Sequence, residues 1–278
     1  MILQKKEIER VIITALKEDI STGDITTDLL ISKRQKAKAF FLAKEDGIIA
    51  GLHIAKIVFQ KLDKTVSWKF FMKEGEHVAA GTKIAEVSGS LRALLTGERT
   101  ALNILQRMSG IATATSNYVA LVKETNAKIL DTRKTVPGLR MLDKYAVKIG
   151  GGTNHRIGLF DMVLIKDNHI KAAGDITTAV STIRKRLTKK IKIEVETRNL
   201  EEVREALSCK VEIIMLDNMT IAEMKKAVKI IDGKAAVEAS GNVNLKTVRA
   251  IAKTGVDYIS VGALTHSVKA LDISMKIL

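Results

Sequence analysis

The chain has 278 residues, 46% of them hydrophobic and 4% aromatic, with one cysteine and a formal charge of +15. Such a length and apolar content suit one large domain or two moderate ones with a substantial core, while the lack of any run of about eighteen apolar residues argues against a membrane span and MILQKKEIER does not have the order of a secretion signal. Cys209 has no partner for an internal disulfide, which points to a reducing cytoplasm. The charge would attract nucleic acid, acidic lipid or a phosphorylated small molecule alike, but with few stacking rings and no finger, zipper or RNP pattern, neither nucleic acid nor membrane is an expected partner.

In chain order, Glu7 to Lys17 places Ile8, Val11, Ile12 and Ala15 on one helical face. Ala37–Leu42 and Val66–Phe71 read as strands, Gly75–Val87 as two short strands around an Ala-Gly turn, and Leu91–Met108 as a long amphipathic helix, so residues 1–109 predict an α/β sandwich domain. Residues 110–278 are expected to form the second domain, and after about Ala127 they follow a different pattern of strand, short polar loop and helix. Strands are expected at 128–130, 162–165, 191–195, 211–216, 235–239 and 258–261, with helices near 141–147, 177–187, 200–207, 221–231 and 245–253. The later strands recur at the spacing of βα units in a parallel barrel. An open doubly wound sheet is the alternative, disfavoured because no G-x-G-x-x-G follows an early strand. Residues 268–278 are expected to pack back on the first domain.

The residues just beyond each strand form the more telling pattern. The strands run in turn into Thr132-Arg133-Lys134, Lys166-Asp167-Asn168-His169, Glu196, Asp217-Asn218, Ser240-Gly241-Asn242 and Gly262. In a barrel all of these meet at one rim, where barrel active sites lie. Arg133, Arg156 and Lys166 suit a carboxylate or phosphate, with His155 placed to hydrogen-bond the same anion. Glu196 and Asp217 suit a hydrated magnesium ion or a sugar hydroxyl, and their plain alternative is salt bridging to nearby lysines. Ser240, Gly241, Asn242 and Gly262 occupy the place where barrels hold phosphate on backbone N–H groups. His169 is expected to stabilise its own loop, and no spacing supports zinc. Lys166, ending an apolar strand, is also where an aldolase would keep a Schiff-base lysine.

These segments carry a resemblance. EDISTGDITT (18–27), GERTALNILQRMSGIAT (97–113), DTRKTVPGLR (131–140), GGGTNHRIGLFDMVLIKDNH (150–169), Val195-Glu196, LDN (216–218), EASGN (238–242) and SVGALTH (260–266) together make the chain resemble the quinolinate phosphoribosyltransferase family from end to end. The resemblance implies an N-terminal α/β sandwich followed by an incomplete TIM-like α/β barrel, in a homodimer or higher oligomer whose active sites use both chains. It also implies the reaction of quinolinate with phosphoribosyl pyrophosphate, with magnesium, to nicotinate mononucleotide, pyrophosphate and carbon dioxide in NAD biosynthesis. Carried over by residue, Arg133, His155, Arg156 and Lys166 would bind the quinolinate carboxylates, and Arg99 would reach in from the partner chain. Lys134, Glu196 and Asp217 would be catalytic, holding the phosphoribosyl donor and its metal. Thr132, Ser240, Gly241, Asn242, Ser260, Val261 and Gly262 would contact that donor. A near relative encoded beside molybdate transporters shares the TRKT core, and the complete TNHRIGLFDMVLIKDNH sets this chain apart from it.

Overall fold

The structure is a computed structural model that describes residues 5–278. MILQ, part of the segment read for a secretion signal, lies outside the described residues. In chain order the elements are α1 (Lys5–Ile20), α2 (Ile25–Leu30), β1 (Lys36–Ala43), β2 (Gly47–Ile48), α3 (Leu52–Leu62), β3 (Ser67–Phe70), β4 (His77–Val78), β5 (Lys83–Ser90) and α4 (Leu91–Val122). They continue with β6 (Lys128–Leu130), α5 (Arg140–Ile149), β7 (Val163–Ile165), α6 (Asp167–Ala173), α7 (Ile176–Arg186), β8 (Ile193–Thr197) and α8 (Leu200–Ser208). The last are β9 (Ile213–Asp217), α9 (Ile221–Ile231), β10 (Ala236–Ser240), α10 (Val248–Ala252), β11 (Tyr258–Ser260), α11 (Ala263–His266) and β12 (Ile273–Ile277). Among the described residues, no helix is long and apolar enough to cross a membrane.

Two compact units result. The first takes residues up to Ser116 with Thr135–Gly151 and Thr265–Leu278, and the second takes Asn117–Lys134 with Gly152–Leu264. In the first unit an antiparallel sheet runs β12-β1-β5-β3, with β12 in register on β1 from Ala39↔Ile277 to Ala43↔Ile273. Alternation along β1 buries Ala39, Phe41 and Ala43, and the amphipathic α3 buries Ile54, Ala55, Val58 and Phe59. Phe41 meets Phe59 edge-on at 6.2 Å and stacks with Trp68 at 5.3 Å, joining helix to sheet.

The two strands expected within Gly75–Val87 are present as β4 and β5 on either side of the Ala80-Gly81 turn, but they pair with other strands and not with each other. Strand β4 is two residues long and pairs with β2, while β5 pairs with β1 and β3. The helix expected to stop at Met108 continues to Val122, through Ser109 and Gly110. These two small residues serve close packing rather than termination. Ser109 Oγ accepts the Ala50 N–H at 3.0 Å, and a side chain at Gly110 would collide with the Lys269 carbonyl. The helix expected near 141–147 is present as α5, but it clusters with the first unit. It brings Asp143, fully buried, against Arg107 of α4 in a bidentate pair at 2.9 and 2.8 Å.

In the second unit a parallel sheet runs β6-β11-β10-β9-β8-β7, with α7, α8, α9 and α10 following the strands. Its edge strands β6 and β7 are not paired with each other, so the barrel is incomplete. Strands β8, β9 and β10 are buried nearly throughout, as parallel strands covered on both faces are. They also end later than expected. Glu196, Asp217 and Ser240 lie within β8, β9 and β10 rather than after them.

Burial pushes the Asp143 carboxyl up from its ordinary range against the pull of Arg107, so this pair contributes little net stability while both members are present. Removing one member is a different matter. Arg107→Met should lower stability by about 3–5 kcal/mol in urea unfolding, and the double variant Arg107→Met/Asp143→Leu should recover most of that loss.

Candidate active site

The carboxyl-terminal ends of the barrel strands enclose a cavity of about 310 Å³. Its wall follows from the period-two alternation of the strands. Leu164 and Lys166 face it from β7 and the residue after it, Glu196 from β8, Met215 and Asp217 from β9, Glu238 and Ser240 from β10, and Ser260 from β11. Thr132, Arg133 and Lys134, just beyond β6, complete the wall with His155 and Arg156 from the return segment.

Eleven of the sequence-predicted residues are thus together: Thr132, Arg133, Lys134, His155, Arg156, Lys166, Glu196, Asp217, Ser240 and Ser260 line the cavity directly, and Gly241 starts the turn after Ser240. Val261 is buried behind the wall, with its N–H donating to Leu130 O at 2.9 Å, and Gly262 leads into α11. Asn242 donates through Nδ2 to Asn218 Oδ1 at 3.1 Å, and the Asn218 N–H donates to Ser240 O at 2.9 Å, which interlocks the turns after β9 and β10. Gly241 has φ +96° in that turn, and a Cβ there would collide with the Asn218 amide, so both backbone and space require glycine. Arg99 is exposed on α4, in the first unit. His169 receives the Lys166 N–H on Nδ1 at 3.0 Å and so caps α6, the loop-stabilising part expected of it.

The cations and carboxylates are finely placed. Lys166 Nζ lies 3.8 Å from Glu196 Oε2, and its side chain is 50% exposed, so the desolvation that a Schiff-base lysine needs is missing. Burial pushes the Glu196 carboxyl up, and the neighbouring Asp217 carboxylate adds to the effect. Two like charges at adjacent strand ends are hard oxygen donors that a divalent cation would relieve, so the residues fit magnesium. Arg156 donates through Nη1 to Met162 O at 3.2 Å. Burial and the nearby Arg133 work against its charge, while Glu194 and Asp161 support it.

Three acidic residues escaped the sequence reading of the site. Asp131, fully buried at the end of β6, receives the Asn154 side-chain amide at 2.6 Å and the His155 N–H at 2.9 Å. Glu194 and Glu238, 0% and 1% exposed, approach His155 Nε2 at 3.1 and 3.4 Å. The available signal was the pleat: Glu194 and Glu238 each stand two residues before a rim residue, Glu196 and Ser240, on the same strand face. Burial pushes Glu194 up to about 7, aided by the Glu238 charge. Burial opposes the imidazolium form of His155, hydrogen bonding and attraction from Glu194 and Glu238 favour it, and the Arg156 N–H donated to Nδ1 at 2.7 Å decides for the neutral ring, since a protonated Nδ1 could not accept it.

Comparison with known proteins gives a consistent result. The family model "Quinolinate phosphoribosyl transferase, N-terminal domain" matches residues 24–109, and the corresponding C-terminal domain model matches residues 111–276. The chain is 48% identical to the chloroplastic nicotinate-nucleotide pyrophosphorylase [carboxylating] of Arabidopsis thaliana, over 98% of this chain and 83% of that protein. It is 50% identical to a probable nicotinate-nucleotide pyrophosphorylase [carboxylating] of Synechocystis, over 94% and 90%. Among solved structures, NadC from Streptococcus pyogenes superimposes with a TM-score of 0.96 at 40% identity, covering 100% of this chain and 99% of that one.

The buried carboxylate makes a pH prediction. Glu194 holds its proton more tightly when folded, with a pKa of about 7, than at the ordinary value of 4.5, so folding takes up a proton between those values and the protein loses stability as pH rises through them. Glu194→Gln has no proton to lose. Its urea midpoint should therefore gain on the wild type between pH 4.5 and pH 7, and a constant difference across that window would count against the buried charge.

Proposed function

The chain belongs to the quinolinate phosphoribosyltransferase family, and on that premise we propose how its rim cavity transfers the phosphoribosyl group of phosphoribosyl pyrophosphate to quinolinate with decarboxylation. The observation that carries the assignment is one cavity lined by four cations, Arg133, Lys134, Arg156 and Lys166, together with two rim carboxylates, Glu196 and Asp217. The cations suit a dicarboxylate, and the carboxylates suit a metal-bearing diphosphate.

Arg133, Arg156 and Lys166 grip the two carboxylates of quinolinate, with His155 beneath them, and so hold the ring nitrogen towards C1 of the ribose. Lys134 and the hydroxyls of Thr132, Ser240 and Ser260 face the phosphoribosyl donor, and the interlocked turn at Gly241-Asn242, with Val261-Gly262, offers backbone N–H groups to its phosphate. Glu196 and Asp217 would hold magnesium, directly or through water. When bound, that ion supplies charge neutralisation for the departing pyrophosphate. As the C1–O bond to pyrophosphate breaks, the ring nitrogen supplies the electron pair of the new C1–N bond and the pyridine becomes a cation. The bond from C2 to its carboxylate then breaks to release carbon dioxide, the electron pair stays on C2 stabilised by the adjacent ring cation, and a proton completes nicotinate mononucleotide. No protein nucleophile is required, and positioning and electrostatics carry the rate.

A homodimer or larger assembly in which Arg99 serves the partner's cavity is the arrangement we favour, and a reducing cytoplasm is its setting. Arg99 is exposed, and Ile25, Leu29 and Leu30 of α2 expose 76%, 85% and 76% of their surface, an apolar patch suited to a second copy.

The test is a coupled assay with quinolinate, phosphoribosyl pyrophosphate and magnesium, with nicotinate as a parallel substrate. Nicotinate mononucleotide and carbon dioxide should form from quinolinate only, and chelation of the metal should abolish turnover. Arg156→Ala should raise KM for quinolinate by roughly 10–100-fold, the scale of a lost charge-assisted hydrogen bond of about 1.5–3 kcal/mol. Glu196→Gln or Asp217→Asn should instead lower kcat while quinolinate KM stays close to that of the wild type. An unchanged quinolinate KM in Arg156→Ala would disprove the assigned dicarboxylate pocket.

A further inference from the structure

We propose that Glu194 and Glu238 are positioning residues for quinolinate binding, which grip the Nε2 edge of His155 from below the cavity and through that ring fix the backbone that carries Arg156. The proposal rests on the functional reading above and concerns how its dicarboxylate pocket is held in shape.

Both nitrogens of the His155 ring are engaged within the protein. Nδ1 accepts the Arg156 N–H at 2.7 Å, and Nε2 faces Glu194 Oε2 at 3.1 Å and Glu238 Oε2 at 3.4 Å. An acceptor at Nδ1 puts the ring proton on Nε2, where the two carboxylates share it. The imidazole is therefore a strut with a carboxylate pair at one end and a peptide N–H at the other. The strut is needed because residues 154–156 belong to no helix or strand, so side chains must supply the restraints that a ladder of backbone bonds would otherwise give. Asp131 fixes the first part of the segment, through Asn154 Nδ2 and the His155 N–H, and the ring fixes the next peptide.

The carboxylates do not themselves tie down the backbone. They come from β8 and β10, which are separated in the sheet by β9, and among the described residues no backbone N–H or hydroxyl donates to either of them. Two acids buried side by side without such donors oppose folding, and their retention beneath a cation-lined cavity is explained by the ring they orient. The arrangement also makes His155 a support for the cations above it. It holds Arg156, whose guanidinium is placed by its own backbone and by the Met162 carbonyl, rather than lending a ring nitrogen to the substrate.

A double-mutant cycle tests this. Wild type, Glu238→Gln, His155→Ala and the double variant are compared by steady-state kinetics with each substrate varied in turn. Glu238→Gln should raise KM for quinolinate about tenfold and leave KM for phosphoribosyl pyrophosphate within about twofold, and in the His155→Ala background the same substitution should have no further effect. Imidazole ¹⁵N NMR of the wild type should show the proton on Nε2, unmoved when quinolinate is added. An additive cycle, equal changes in both KM values, or a ring proton that shifts to the substrate would overturn the positioning role. Glu194→Gln, read in the same way, serves if Glu238→Gln fails to fold. A wild type that makes no nicotinate mononucleotide overturns the functional reading itself, whereas wild-type turnover with an additive cycle overturns only the strut.

Discussion

The site depends on the two-residue repeat of a parallel strand closed off on its outer face. Inside the barrel, side chains i and i+2 point the same way, one deep and one at the rim, so each strand that delivers a functional group to the rim must also place something beneath it. On β8 the two are Glu194 and Glu196, on β9 Met215 and Asp217, and on β10 Glu238 and Ser240. A deep layer made only of apolar side chains would satisfy packing. This chain instead places two acids there, and the rest of the pocket's design answers to them.

A buried acid pair is tolerable only if positive charge is close and geometry is fixed. Here His155 supplies the contact and Arg156 the nearby charge, which Arg133 opposes and Glu194 supports. The cavity is thus a stack of alternating sign: carboxylates at depth, imidazole and guanidinium above them, and at the rim Lys166 beside Glu196. Such a stack is preorganised. Its dipoles and charges are already directed into the cavity, and little reorganisation is left for the moment of reaction.

Much of this was legible in the sequence, and the parts that were not fail for identifiable reasons. The rim was readable because polar residues interrupt apolar strands at a regular spacing, and Lys166, Glu196, Asp217 and Ser240 do meet at one cavity. The strand ends were misjudged because a charged residue reads as loop, whereas Glu196 and Asp217 continue the ladder with their side chains turned into the barrel. Glu194 and Glu238 lay within stretches read as core, where a single acid among valines and alanines gives no hint of its partner on another strand. In the first unit the helix was expected to end at Met108, yet it continues through Ser109 and Gly110, which are there for close approach of neighbouring backbone, a tertiary demand that local propensity does not carry.

Residues 131–156 hold many glycines and charges at once for a related reason. Arg133 and Arg156 both sit on irregular backbone, where an unrestrained guanidinium would sample many positions and bind a planar dicarboxylate poorly. Regular structure could not bring both to one spot, since β6 and its return have only the single bridge between Leu130 and Thr153 in common. One buried aspartate and one buried glutamate pair take its place: Asp131 orders the peptide from Asn154 to His155, and Glu194 with Glu238 orders the next through the ring. The charges in and behind this stretch therefore have two separate purposes. The cations address the ligand, and the anions buried behind them turn a flexible return segment into a rigid one.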